Sequence, residues 1–134
     1  MMISNLLLCE SAKPAFINIS LVSSKLSSNA IAKATGGILL IDEIETAIHK
    51  KYYDDIFRFI VKACRAFDVQ LFVTTHSLEA IDGLLATQDY EQQTEEDNIS
   101  VVTLKREDNN TYSRVLPGRK VAQNREAFGF EVRL

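Results

Sequence analysis

Asp42 and Glu43 stand side by side directly after Ile38, Leu39, Leu40 and Ile41, and His76 follows a second apolar run that ends in Thr74 and Thr75. Adjacent carboxylates at the end of a buried run suit divalent-cation chemistry: one can hold a magnesium water while its neighbour polarises an attacking water. A histidine at the neighbouring run's end can donate a hydrogen bond to a phosphate oxygen. Glu45 and His49 lie just downstream, and with Asp42 they could make a nuclease-like metal cluster. That reading is the weaker one, because both lie on a segment leaving the apolar run and no further acid joins them. The plain alternatives are a charged strand end for the acids and a hydrogen-bonded loop residue for His76. His49 reads more simply as a residue that starts a helix or meets an interface.

The elements that must position these groups are legible in the apolar pattern. Gly36 and Gly37 break the chain, and the four aliphatics that follow predict an interior parallel strand covered on both faces. Residues 51–68 repeat apolar side chains at Ile56, Ile60, Ala63 and Phe67, with Arg58, Lys62 and Arg65 elsewhere, which predicts an amphipathic helix. Residues 69–74 predict a second strand, making a strand-helix-strand unit whose crossover closes right-handed. Sheets of this kind carry their chemistry at the carboxyl ends of the strands. Ser77 can cap a further helix with Leu78, Ile81 and Leu85 on one face.

Toward the amino end, residues 20–34 place Val22, Leu26, Ala30 and Ala34 at intervals of four, a helical spacing, and "MMISNLLLCES" predicts a short strand. Residues 87–98 are polar, acidic and aperiodic and predict an exposed loop. "ISVVTL" and "TYSRVL" flank "KREDNN" and predict a hairpin. Phe57, Phe59, Phe67 and Phe72 are core candidates, since no basic residues interleave them as a nucleic-acid stacking surface would require.

Composition narrows the function classes. With 134 residues, 46% hydrophobic and 25% charged, residues 1–134 predict a single globular domain or a piece of one. A net charge of -3 without a lysine and arginine cluster argues against autonomous nucleic-acid binding. Cys9 and Cys64 lie far apart in apolar surroundings, which suits reduced core thiols rather than a disulfide framework. The amino end lacks the basic start of a signal peptide and no run approaches membrane-spanning length, so a cytoplasmic location is expected.

The order and spacing of these motifs carry a resemblance. "GGILLIDEIETAIH", followed after one helix by "VQLFVTTHSLEAID", resembles the Walker B segment and histidine switch of an ABC-type P-loop ATPase. More narrowly it resembles bacterial AAA-family ATPases with ABC-like heads, relatives of the RecF, SMC and overcoming-lysogenisation-defect proteins. The likeness runs from about Gly36 to the end, where "YSRVLPG" and "FGFEVRL" also resemble that family. It implies an α/β fold: a partial P-loop NTPase with a parallel sheet, flanking helices and a C-terminal β-hairpin. It implies magnesium and ATP as cofactor and substrate, with Asp42 on the magnesium side, Glu43 activating water and His76 contacting the γ-phosphate. Glu45, Thr46, Ala47, Ile48 and His49 would form the D-loop, which in such enzymes crosses to a second subunit.

Two departures shape the expectation. No glycine has the spacing of the phosphate-cradling motif, Gly-x-x-x-x-Gly-Lys followed by Ser or Thr. The signature loop survives only as Leu26, Ser27 and Ser28, which Asn29, Ala30 and Ile31 follow where the family has Gly-Asp-Gly. The chain thus resembles the C-terminal lobe of an ATPase head, inactive alone and dependent on a Walker A-bearing partner segment or a homo-oligomer. The alternative is a non-enzymatic remnant that serves in interaction or dimerisation. The resemblance also places the Walker B strand beside the switch-histidine strand, whose other neighbour would be the Walker A strand. With that strand missing, the flank must be filled by residues 3–9, by residues 99–104 or by another copy, the first and third being favoured.

Overall fold

A computed structural model describes residues 3–9, 16–19, 28–90 and 98–128. Its centre is a six-stranded sheet ordered β2-β3-β4-β1-β5-β6. The strands are β1 (Ile3–Cys9), β2 (Phe16–Ile19), β3 (Ile38–Ile41), β4 (Gln70–Thr75), β5 (Ile99–Glu107) and β6 (Asn110–Pro117). The helices are α1 (Ser28–Lys33), α2 (Ile44–Ala47), α3 (Tyr53–Ala66), α4 (Leu78–Leu85) and α5 (Gly118–Phe128). The aliphatic run becomes β3, parallel to β2 on one side and to β4 on the other. The two strands expected to carry the acids and the histidine are therefore neighbours, joined through α3.

The flank of β4 is filled from within the chain. β1 pairs antiparallel with β4, Leu7 opposite Val73, and antiparallel with β5, Leu7 opposite Val101. β5 thus runs in the same direction as β4, and β1 is a reversed strand set between them. The expected use of residues 3–9 is what the sheet shows. β5 and β6 form the expected hairpin, but the strands run through most of "KREDNN", leaving Asp108 and Asn109 as the turn. Asp108 has φ 52°, the left-handed conformation that tight hairpin turns demand.

Burial along the central strands alternates, which corrects the expectation of equal cover on both faces. Leu39, Ile41, Leu71 and Val73 are buried, whereas Ile38, Leu40 and Phe72 are half-buried. The buried face meets Ile31 of α1, Phe57 and Ile60 of α3, Ile81 and Leu84 of α4 and Val121 of α5 in one cluster. α3 is the amphipathic helix predicted, yet its buried stripe is turned from the expected one. Tyr53, Phe57, Ile60, Val61 and Cys64 are buried, while Ile56, Ala63 and Phe67 only pack against the core's margin. Phe59 was expected in the core and is instead 44% exposed. Spacings of three and four residues fit several stripes in so apolar a helix, and the face that wins is the one on which Phe57 can stack on Tyr53, centroids 4.7 Å apart.

Short turns fix how the helices feed the strands. Gly36, at φ 69°, takes a conformation that side chains disfavour, and its N–H donates to the Phe67 carbonyl at 3.1 Å. The Gln70 N–H donates to the Gly37 carbonyl at 2.8 Å, so the entries to β3 and β4 brace one another. Of the predicted helix over residues 20–34, α1 realises Ser28–Lys33, and residues 20–27 lie outside the described residues. The loop expected over residues 87–98 is described at both ends only, residues 91–97 lying outside. Its start is not exposed: Gln88 is buried and accepts a hydrogen bond from Arg65 at 2.6 Å.

Candidate functional site

β3 and β4 end at the same rim, so the residues that follow them meet. Thr74 and Thr75 point to opposite faces of β4, as successive strand residues must. Thr74 donates from its hydroxyl to Asp42 Oδ1. The Glu43 N–H donates back to the same hydroxyl oxygen at 2.9 Å. On the other face, the buried Thr75 hydroxyl donates to Glu45 Oε2 at 2.5 Å, and the His76 N–H donates to Glu45 Oε1 at 2.7 Å. Two carboxylate–threonine pairs thus stitch the β3 tip to the β4 tip, one on each face.

Glu43 sits where the chain leaves β3 for α2, at φ 47° and ψ 58°. This left-handed geometry is costly for a residue with a Cβ, and Thr46, donating to the Glu43 carbonyl at 2.8 Å from its hydroxyl, helps hold it. The turn aims the Glu43 carboxylate toward His76, Nε2 lying 4.0 Å from Oε1, with both side chains about half exposed at 54% and 42%. The geometry therefore presents a carboxylate and an imidazole to solvent across a narrow gap.

His49 does not join the group: its Nδ1 accepts the Lys51 N–H at 3.4 Å and caps the 3-10 turn Lys50–Tyr52. Thr46 and Ala47 lie within α2, Ile48 ends it, and Thr46 and His49 are exposed. Ser77 caps α4 as expected, its hydroxyl accepting the Ala80 N–H at 3.2 Å. A shallow groove of about 600 Å³ runs from Glu45, Ile48 and His49 to His76, Ser77 and Glu79. At its far lip, Lys50 hydrogen-bonds Glu79 at 2.5 Å and holds that carboxyl down at about 2, aided by the helix backbone and Ser77. A larger hollow, about 780 Å³, lies between α4 and α5 and touches none of Asp42, Glu43 and Glu45.

Among the described residues no three His, Cys, Asp or Glu side chains gather closely enough to hold a metal ion by themselves. One carboxylate with a hydroxyl beside it, here Asp42 and Thr74, is a donor set that fits magnesium, an ion that keeps several waters and takes phosphate oxygens. The sequence carries no phosphate-cradling Gly-x-x-x-x-Gly-Lys loop among the described residues. Thr74 and Thr75, which tie Asp42 and Glu45 to β4, are not among the candidate residues that the apolar pattern and charges single out. Their signal is the "TTHS" run itself, two hydroxyls on opposite strand faces immediately before the histidine.

Comparison with known proteins agrees with this fold. Residues 19–82 match the family described as "AAA domain, putative AbiEii toxin, Type IV TA system". The chain is also 30% identical over 99 residues to the uncharacterized protein MJECL11 of Methanocaldococcus jannaschii, a match covering 72% of this chain and 82% of that protein. No solved structure matches significantly. Residues 19–82 are thus an AAA-family, P-loop ATPase-like region. Among the described residues no helix is long and apolar enough to cross a membrane.

Proposed function

We propose that this chain is the hydrolytic lobe of an ABC-like AAA-family ATPase, contributing to ATP cleavage while another segment grips the nucleotide. In this reading Asp42 is the magnesium-side acid, with the Thr74 hydroxyl fixing its orientation. Glu43 is the base that takes a proton from water, and the His76 imidazole donates to phosphate oxygen. Glu45, Thr46, Ala47, Ile48 and His49 form the surface that meets a second subunit, another copy or a Walker A-bearing partner. The observation that carries the reading is the Thr74 hydroxyl, shared between the Asp42 carboxylate and the Glu43 N–H. It fixes both acids at the rim where His76 emerges, an arrangement that a merely charged strand end does not require.

A second reading is favoured by β1. Because it occupies the sheet between β4 and β5, a phosphate-gripping strand from elsewhere finds no room there unless β1 leaves. The fold would then persist as an interaction module without turnover.

Titration calorimetry and a phosphate-release assay, with magnesium and ATP, separate the two. The isolated chain is expected to show neither turnover nor saturable micromolar binding, since the cradle is absent. Adding a Walker A-bearing partner, found by reading the genome beside this gene, is expected to give turnover that Glu43→Gln lowers by about a hundredfold or more. Micromolar ATP binding by the chain alone would overturn the division of labour. Turnover indifferent to both Glu43→Gln and His76→Ala would overturn the site.

A further inference from the structure

We infer that Glu45 is a positioning residue: its carboxylate ties α2 to the segment after β4, so that the placement of His76 is set by α2. The inference rests on the proposed role of His76 for its functional meaning, though not for its geometry. Both Glu45 oxygens are engaged by one short segment, Oε2 by the Thr75 hydroxyl at 2.5 Å and Oε1 by the His76 N–H at 2.7 Å. Charge-assisted bonds of this length are the strong ones. Thr75 is 1% exposed, so its hydroxyl has no water to turn to. The same hydroxyl accepts the Ser77 N–H at 3.1 Å, and Ser77 caps α4. A continuous path therefore runs from α2 through Glu45 and Thr75 to the start of α4, with His76 held in its middle by the backbone.

This division separates two duties. The imidazole of His76 stays half exposed and 4.0 Å from Glu43, available for chemistry, while its N–H is committed to Glu45. α2 also exposes Thr46, beside the exposed His49, on the surface assigned to a partner. Docking there bears on Glu45 and, through it, on His76.

The test is nuclear magnetic resonance on the full, ¹⁵N-labelled chain without nucleotide. The sequence has two histidines, and a His49→Gln variant assigns their ring signals. Glu45→Asp keeps the charge but is one methylene too short to span both donors. It is expected to speed exchange of the His76 amide about tenfold or more relative to Val73, and to shift the His76 ring signal while leaving that of His49 in place. Glu45→Gln retains an oxygen for the His76 N–H but turns a donor amide toward the Thr75 hydroxyl, whose proton then loses its acceptor, and is expected to speed His76 exchange less than Glu45→Asp does. The inference is overturned if Glu45→Asp leaves His76 exchange and its ring signal unchanged. It is equally overturned if exchange rises uniformly across Gln70–Thr75, the mark of a general stabilising role. Because no nucleotide is used, failure of the ATPase reading leaves this result standing. In an assembly that turns over, Glu45→Asp should lower kcat with little change in KM.

Discussion

The Thr74 hydroxyl donates to the Asp42 carboxylate, joining the tips of two parallel strands through residues 32 positions apart. Thr74→Val keeps the shape and strand preference of the residue but removes that bond and strands the Glu43 N–H. Because both bonds lie at the exposed rim, where water can replace them, the expected cost is about 0.5–1.5 kcal/mol. Urea denaturation should show it as a lower midpoint with an unaltered slope. An unchanged midpoint would contradict the role assigned to this hydroxyl.

Glu43 combines a strained backbone with an exposed carboxylate. The left-handed conformation costs about 1–2 kcal/mol for a residue with a Cβ, of which glycine's greater unfolded freedom returns about half. Glu43→Gly should therefore stabilise the chain by roughly 0.5–1 kcal/mol. Glu43→Gln, with the same backbone cost, should leave stability within about 0.5 kcal/mol. In an active assembly both variants should stop turnover, so stability and activity part company at one position. Destabilisation by glycine, in thermal or urea unfolding, would show that the strain is not there.

Gly83 lets α4 approach α3. A methyl group at this position would lie 3.0 Å from two carbons of the Phe57 ring, which is fully buried. Gly83→Ala should cost about 1–3 kcal/mol in spite of alanine's better helix propensity. In a Phe57→Leu background the penalty should shrink by about 0.5 kcal/mol or more, a coupling that a double-mutant cycle measures directly. Additive effects would place the two residues out of contact.

Glu79 gives a pH dependence with a definite sign. Its carboxyl is held at about 2, below its ordinary 4.5, chiefly by the Lys50 hydrogen bond and then by the helix backbone and Ser77. A depressed carboxyl stabilises the fold above its unfolded value and loses that contribution as pH falls from about 4.5 to about 2. Both side chains are mostly exposed, 67% and 57%, so the effect is small and screened by salt. Titration followed by magnetic resonance should find a Glu79 midpoint near 2 that Lys50→Met moves back toward the usual range. A midpoint near 4.5 in the unaltered chain would mean that the Lys50 contact does not persist in solution.

Much of the half of the molecule around the acids could be read from residue order, because each element there combines a strong apolar pattern with a distinct boundary. Gly36 and Gly37 mark the entry to β3, Ser77 marks α4, and the interval between β3 and β4 leaves room for one crossover helix. The orientation of α3 was not legible, since its aromatic and aliphatic residues populate more than one face. β2 was missed because four residues, Phe16–Ile19, give too short a run to separate from an apolar loop. α5 was missed for the opposite reason: it is mostly polar. Its position is set by the buried Val121 and by Arg125, paired with Asp82 of α4, both tertiary contacts that no local pattern announces. The acids and the histidine were visible as types at strand ends, whereas the threonines that connect them became visible only when the strand faces were known.

The reversed direction of β1 determines where upstream sequence arrives. Asn5 lies opposite Thr75, so Ile3 continues past the end of β4 on the side from which His76 emerges. With one strand between β1 and β3, the amino end of β1 lies roughly 10 Å from the line of the Asp42 strand. Anything joined ahead of Ile3, native sequence or an affinity tag, sets out from the sheet edge at which β4 ends and not from the far end of the sheet. A label or fusion partner at that terminus is therefore expected to crowd the rim that carries Asp42, Glu43 and His76.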